Sequence, residues 1–159
     1  MAKRNKQAPK PPAGEPEPER DLRDDVVLRH LRFGWWALAV FATTGIVLEA
    51  AHGLKLGWYL DVDNATRRLS FTLGHAHGTL LGLINIAFAV SLKHAKMAER
   101  AIARASFALR LATVAMPAGF FLGGVWFWGG DPGVAIVLVP PSAVVLVVGC
   151  VVVARGFRK

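Results

Sequence analysis

Apolar residues in this chain fall into four long runs, each close to the ~20 residues a helix needs to cross a ~30 Å hydrocarbon core. They lie at about 33–54, 70–92, 107–128 and 134–154, with short polar segments between them. Lipid offers no partner for backbone N–H and C=O groups, so runs of this kind fold as helices. The prediction is an all-α membrane protein, a four-transmembrane-helix bundle over 33–159. Ahead of it, residues 20–32 (RDLRDDVVLRHLR) place Leu22, Val26, Val27 and Leu31 on one face and Arg and Asp on the other. That pattern predicts a short amphipathic helix lying at the membrane surface, with His30 as an ordinary interfacial side chain. Residues 1–19 are rich in Pro, Lys and Glu. They bury too little to order themselves and predict a disordered basic tail.

Breakers refine the spans. Gly129-Gly-Asp-Pro-Gly133 is a strong turn signal and joins spans three and four as a hairpin, with Trp126 and Trp128 at the membrane boundary. Pro117 predicts a kink in span three, and Pro140-Pro141 predicts a break near the middle of span four.

Charge sets the orientation. The formal net charge is +8, yet only 19% of residues are charged and 53% are hydrophobic. The basic residues flank the spans instead of forming one patch, which argues against a nucleic-acid partner. Eight precede span one, five follow span two and three end the chain, whereas the opposite connections hold only Lys55, Arg67 and Arg68. By the positive-inside rule both termini are cytoplasmic. No apolar region close to the N-terminus reads as a cleavable signal peptide, and the expected location is the plasma (inner) membrane of a bacterium. A single cysteine, Cys150, excludes an intrachain disulfide or a thiolate metal site.

This topology gives the polar residues a depth. Glu49 and His52 close the ascending first span, and His75 and His77 open the descending second one, within Gly74-His-Ala-His-Gly78. Four ionisable groups therefore gather near the outer boundary, where intramembrane imidazoles mark a site by default. At about 100° per residue, Gly74, Gly78, Gly82 and Asn85 form one stripe of span two, flanked by the two histidines. Small residues four apart let a helix or a flat ligand approach the backbone. Neutral imidazole suits haem iron and transition metals. His52, His75 and His77, with Glu49, Asn85 and Gly78, are the candidate cofactor-binding set; the first three and Glu49 are the candidate metal ligands.

The segment Phe71-Thr-Leu-Gly-His-Ala-His-Gly78 resembles the start of the second helix of haem-copper oxidase subunit I, the likeness covering residues 71–90. It implies that His75 or His77 ligates a haem; the position of Arg67 and Arg68 in the connection separately offers either as a partner for the propionates of haem b. The chain departs from that family in carrying no copper-ligand histidines in spans three and four, which removes the oxidase reaction. The expected function is a haem- or metal-binding membrane protein in a redox or respiratory context and not a stand-alone enzyme. The alternatives are an accessory or assembly subunit without a cofactor, and proton or ion transport as an oligomer. The expected partners are the lipid bilayer and other membrane subunits or further copies of the chain.

Overall fold

The computed structural model describes residues 22–61 and 65–158. The expected tail over 1–19 lies outside them, as does residue Asp63 of the α1–α2 connection. Four helices make up the fold: α1 (Leu22–Gly53), α2 (Thr66–Ser91), α3 (Glu99–Val125) and α4 (Val139–Arg155), the last preceded by a short 3-10 helix over Val134–Leu138. All four are long and apolar enough to cross a membrane when the 3-10 turn is counted with α4. The protein is thus a multi-pass helical membrane protein.

The first helix does not divide where the sequence pattern changes. Leu22–Gly53 is one helix of 32 residues, about 48 Å long at ~1.5 Å per residue. No proline interrupts it, so the segment expected at the surface continues directly into the span. As a result His30 is fully buried instead of interfacial. The third helix likewise begins at Glu99, eight residues before the apolar run predicts. Pro117 lies buried inside it. The Pro140-Pro141 pair sits at the start of α4, not in its middle. Those positions have no intrahelical acceptor for an N–H, so two prolines cost little there, and the 3-10 helix before them completes the span.

The α3–α4 turn follows its sequence signal. Gly129 and Gly130 adopt positive φ, and Trp128 and Asp131 exchange two backbone hydrogen bonds of 2.9 Å across them. Both Trp126 and Trp128 are exposed, as a boundary position requires.

Packing runs in sequence order: α1 against α2, α2 against α3, and α3 against α4, with only thin contact between α1 and α3. The core lies on α3, where Ile102, Ala105 and Leu109 meet Phe88 and Leu92 of α2 and Val26 of α1. Farther along, Leu81, Met116 and Phe120 form a second cluster. Glycine meets glycine where the backbones of α1 and α2 come together. A Cβ on Gly34 would lie 2.8 Å from the Gly82 carbonyl oxygen, and one on Gly82 would lie 3.2 Å from the Gly34 oxygen.

At the basic end, one side chain ties the first helix to the second connection. The Arg23 guanidinium donates to the carbonyls of Leu92, Ala95 (3.0 Å) and Met97 (3.2 Å). These include carbonyls beyond the last turn of α2, which no backbone N–H can reach. We expect Arg23→Lys, which keeps the charge but loses the planar fork, to destabilise the protein by about 2 kcal/mol, and Arg23→Gln by a similar amount. Chemical unfolding in mixed micelles measures both; a lysine variant as stable as wild type would mean that charge alone is at work.

Candidate functional site

Two polar assemblies emerge, and they divide the residues singled out above. The first is a cavity of about 520 Å³ between the last turns of α1 and the first turns of α2, beside the connection that joins them. Its polar lining is Glu49, His52, Tyr59, Arg68, Thr72 and His75. Antiparallel packing explains the grouping: Glu49 and His52 occupy one face of the last turns of α1, and Arg68, Thr72 and His75 follow helical spacing on the opposing face of α2. Glu49, His52 and Arg68 are exposed at the rim, His75 is half-buried and Tyr59 is buried.

His75 is the best-positioned of these groups. Its ring lies directly on Gly45: a Cβ there would fall 2.4 Å from Cε1. Its Nδ1 is 2.7 Å from the Phe41 carbonyl oxygen, which can only accept, so Nδ1 carries the proton. The Nε2 lone pair is left as the acceptor or ligand atom. Fixing an imidazole through a backbone carbonyl in this way sets both tautomer and ring orientation, as it does for metal-ligating histidines.

His77 belongs elsewhere. Its Nδ1 bonds the Leu73 carbonyl one turn back at 2.8 Å, and its ring packs on Phe120 of α3 at 4.9 Å. Two residues along a helix is about 200°, so the pair could not share a ligand. Among the described residues, no three His, Cys, Asp or Glu side chains are grouped to hold a metal ion. The four-residue metal set of Glu49, His52, His75 and His77 is therefore not assembled.

The glycine stripe of α2 is also not an open slot. Phe121 covers Gly74, Phe41 covers Gly78, and the α1 backbone at Gly34 covers Gly82. These glycines admit two phenylalanine rings and a helix, so the stripe itself offers no face to a porphyrin. Gly78 thus supports packing and does not line the cavity. Arg67 is likewise committed: it donates to the carbonyls of Trp58 (2.6 Å) and Gly124 (3.3 Å) and stacks over Phe127 at 4.9 Å. Arg68 is the arginine that reaches the cavity.

The second assembly is buried and includes Asn85. His30 Nδ1 lies 2.7 Å from Asn85 Oδ1, and His30 Nε2 lies 2.8 Å from Ser106 Oγ. The Asn85 amide nitrogen donates to the Leu81 carbonyl and to Thr113 Oγ1, both at 2.8 Å, and Thr113 donates to the Leu109 carbonyl at 2.7 Å. This chain assigns every proton. Asn85 has its amide pointed at two acceptors, so its oxygen faces His30 and Nδ1 must donate. Nε2 then accepts from the Ser106 hydroxyl, and a neutral imidazole satisfies the whole set. The edge of the Phe88 ring packs on the imidazole at 4.8 Å. The sequence pattern put Asn85 in the cofactor-binding set and His30 at the interface, whereas both belong to this buried assembly. The signal was present: Val26, His30, Gly34 and Ala37 recur at helical spacing across the supposed boundary, and all four are buried.

No protein-family model matches the chain, and no curated protein or solved structure does either. What the site can do rests on its own geometry.

Proposed function

We propose that this integral membrane protein binds haem b in the α1–α2 cavity, where His75 would hold the iron through Nε2. The observation that carries the reading is the 2.7 Å bond from His75 Nδ1 to the Phe41 carbonyl, which commits the ring to one tautomer and leaves Nε2 for a ligand. Arg68 on the same cavity supplies a cation for a propionate, and Tyr59 and Thr72 supply hydroxyl donors. His52 at the rim is available to approach from the α1 side. A bound haem would supply redox-active iron to a respiratory or electron-transfer assembly. The protein itself would hold it against the membrane boundary, with a half-buried ligand on one side and charged groups at the mouth.

Orientation follows from charge in the same reading. Arg23, Arg29, Arg32, Lys93, Lys96, Arg100, Arg104, Arg155 and Arg158 all belong to the end of the bundle opposite the cavity. The positive-inside rule puts that end in the cytoplasm and the cavity on the outer face of a bacterial inner membrane.

The test is an absorption spectrum of the protein purified in detergent from haem-supplied cells. We expect a Soret band that His75→Ala abolishes and His77→Ala leaves in place, both variants eluting as monodisperse helical proteins. A colourless wild-type protein, or a band that survives His75→Ala, overturns the haem reading; the colourless result leaves an accessory subunit recognised through its partners.

A further inference from the structure

Away from the cavity, the thin contact between α1 and α3 leaves a seam on the surface of the bundle. Its middle is an apolar groove of about 370 Å³ walled by Phe33, Trp36 and Val40 of α1 and Pro117, Ala118 and Phe121 of α3. Toward the basic end it meets a second hollow of about 540 Å³ on the surface of α1, lined by Asp25, Leu28, Arg29 and Arg32. Phe33 and Trp36 line both, so the two are continuous.

Helical spacing adds a third arginine. On α3 the groove is lined at Thr113, Val114, Pro117 and Phe121. Arg110 stands one turn before Thr113 and Val114 on that same face, and one turn beyond Ser106, whose hydroxyl meets His30 of α1. It therefore sits at the foot of the groove, level with Phe33. Its Nε is buried and has no hydrogen-bond partner among the described residues. A buried guanidinium N–H is costly to leave without an acceptor, and a bound anion would supply one.

We propose that the α1–α3 seam binds one anionic phospholipid, its phosphate held by Arg29, Arg32 and Arg110 and an acyl chain laid along the apolar groove. Charge selects the headgroup: Arg29 and Arg32 against Asp25 leave the hollow cationic, Arg110 adds a third positive charge at the foot of the groove, and basic pockets between transmembrane helices hold phosphate headgroups. Shape selects the tail. A groove of about 370 Å³ suits a hydrocarbon chain, whereas a further helix with side chains is ~10–12 Å across and would rest on the rims without reaching Arg110. Free phosphate would satisfy the arginines and leave the groove unfilled. Trp36, exposed and shared by both hollows, sits where chain and headgroup join, the position indole rings favour.

Native mass spectrometry of the detergent-purified protein tests this directly. Phosphatidylglycerol should add as a single retained adduct, phosphatidylcholine of the same chains should not, and glycerol 3-phosphate should neither bind nor compete. Arg110→Gln should weaken phosphatidylglycerol binding about fivefold, the effect of one cation at a lipid headgroup. Ala118→Trp, which fills the groove and leaves every charge in place, should weaken it as well. Arg155→Gln removes a charge from the same end outside the seam and should leave binding unchanged. Equal retention of the two lipids overturns the proposal, as does an Arg155→Gln effect matching that of Arg110→Gln. Binding of glycerol 3-phosphate as tight as the lipid reassigns the arginines to a soluble anion and equally overturns it. Should Arg110→Gln fail to fold, Ala118→Trp alone decides: undiminished binding sinks the groove.

Discussion

His30→Ala is expected to destabilise the bundle by about 3 kcal/mol, through two losses that add: the packing of a buried ring and the stranding of polar groups. The ring is fully buried against Phe88. Its removal also leaves Asn85 Oδ1 and Ser106 Oγ without the imidazole they bond. Single interhelical hydrogen bonds in membranes average only about 0.6 kcal/mol, so the bonds alone would not produce an effect of this size. A double-mutant cycle separates the parts. Asn85→Leu strands the His30 Nδ1–H, and His30→Leu strands the Asn85 oxygen. Combining the two removes both partners and should cost less than the sum of the singles, with an interaction of about 1 kcal/mol or more. Reversible unfolding in mixed micelles provides the measurement. Strict additivity would mean that His30 and Asn85 are not coupled and that the network is an accident of proximity.

The second large effect concerns the crossing of α1 and α2. A Cβ on Gly34 would meet the Gly82 carbonyl oxygen at 2.8 Å and the Ile86 nitrogen at 3.2 Å. Both are backbone atoms of a helix and cannot move aside as a side chain can. Gly34→Val should therefore force the helices apart and cost about 3 kcal/mol, the upper range for overpacking. The crossing is asymmetric. The nearest atoms to a Cβ on Gly82 lie at 3.2 Å, so Gly82→Ala should cost less than Gly34→Ala. Gly53, at the end of α1, has nothing within 4 Å of a built Cβ, and Gly53→Ala should be neutral or mildly stabilising. Unfolding of the four variants under one condition ranks them. If Gly53→Ala proved as harmful as Gly34→Ala, the cost would come from lost backbone freedom and not from the crossing.

The sequence carried the helices because lipid leaves the backbone one solution, and a run of twenty apolar residues states that solution openly. It carried the cavity for a related reason: two antiparallel spans joined by a short connection must bring the end of one to the start of the next. Glu49, His52 and His75 line one cavity, though not closely enough grouped to hold a metal ion. It did not carry azimuth within the pocket. Gly74 and Gly78 read as room for a flat ligand, and their spacing was indeed a close approach, but the flat groups filling it are Phe41 and Phe121 from other helices. Which ring fills a glycine notch depends on how helices rotate against each other, and no single helix encodes that. His30 was hidden by a change in composition. Arg and Asp around it suggested a surface helix, whereas the helix continues unbroken and only its outer face is charged.

The order of residues along the chain gives the buried network a bearing on how the protein enters its membrane. His30 and Asn85 belong to α1 and α2, which are synthesised before Ser106 and Thr113. The imidazole and the amide can therefore answer each other within the first hairpin, at 2.7 Å, while α3 is still being made. When α3 arrives it brings two hydroxyls, and Thr113 already has the Leu109 carbonyl of its own helix to bond. Each stage of insertion thus presents lipid with polar groups that are already partly matched.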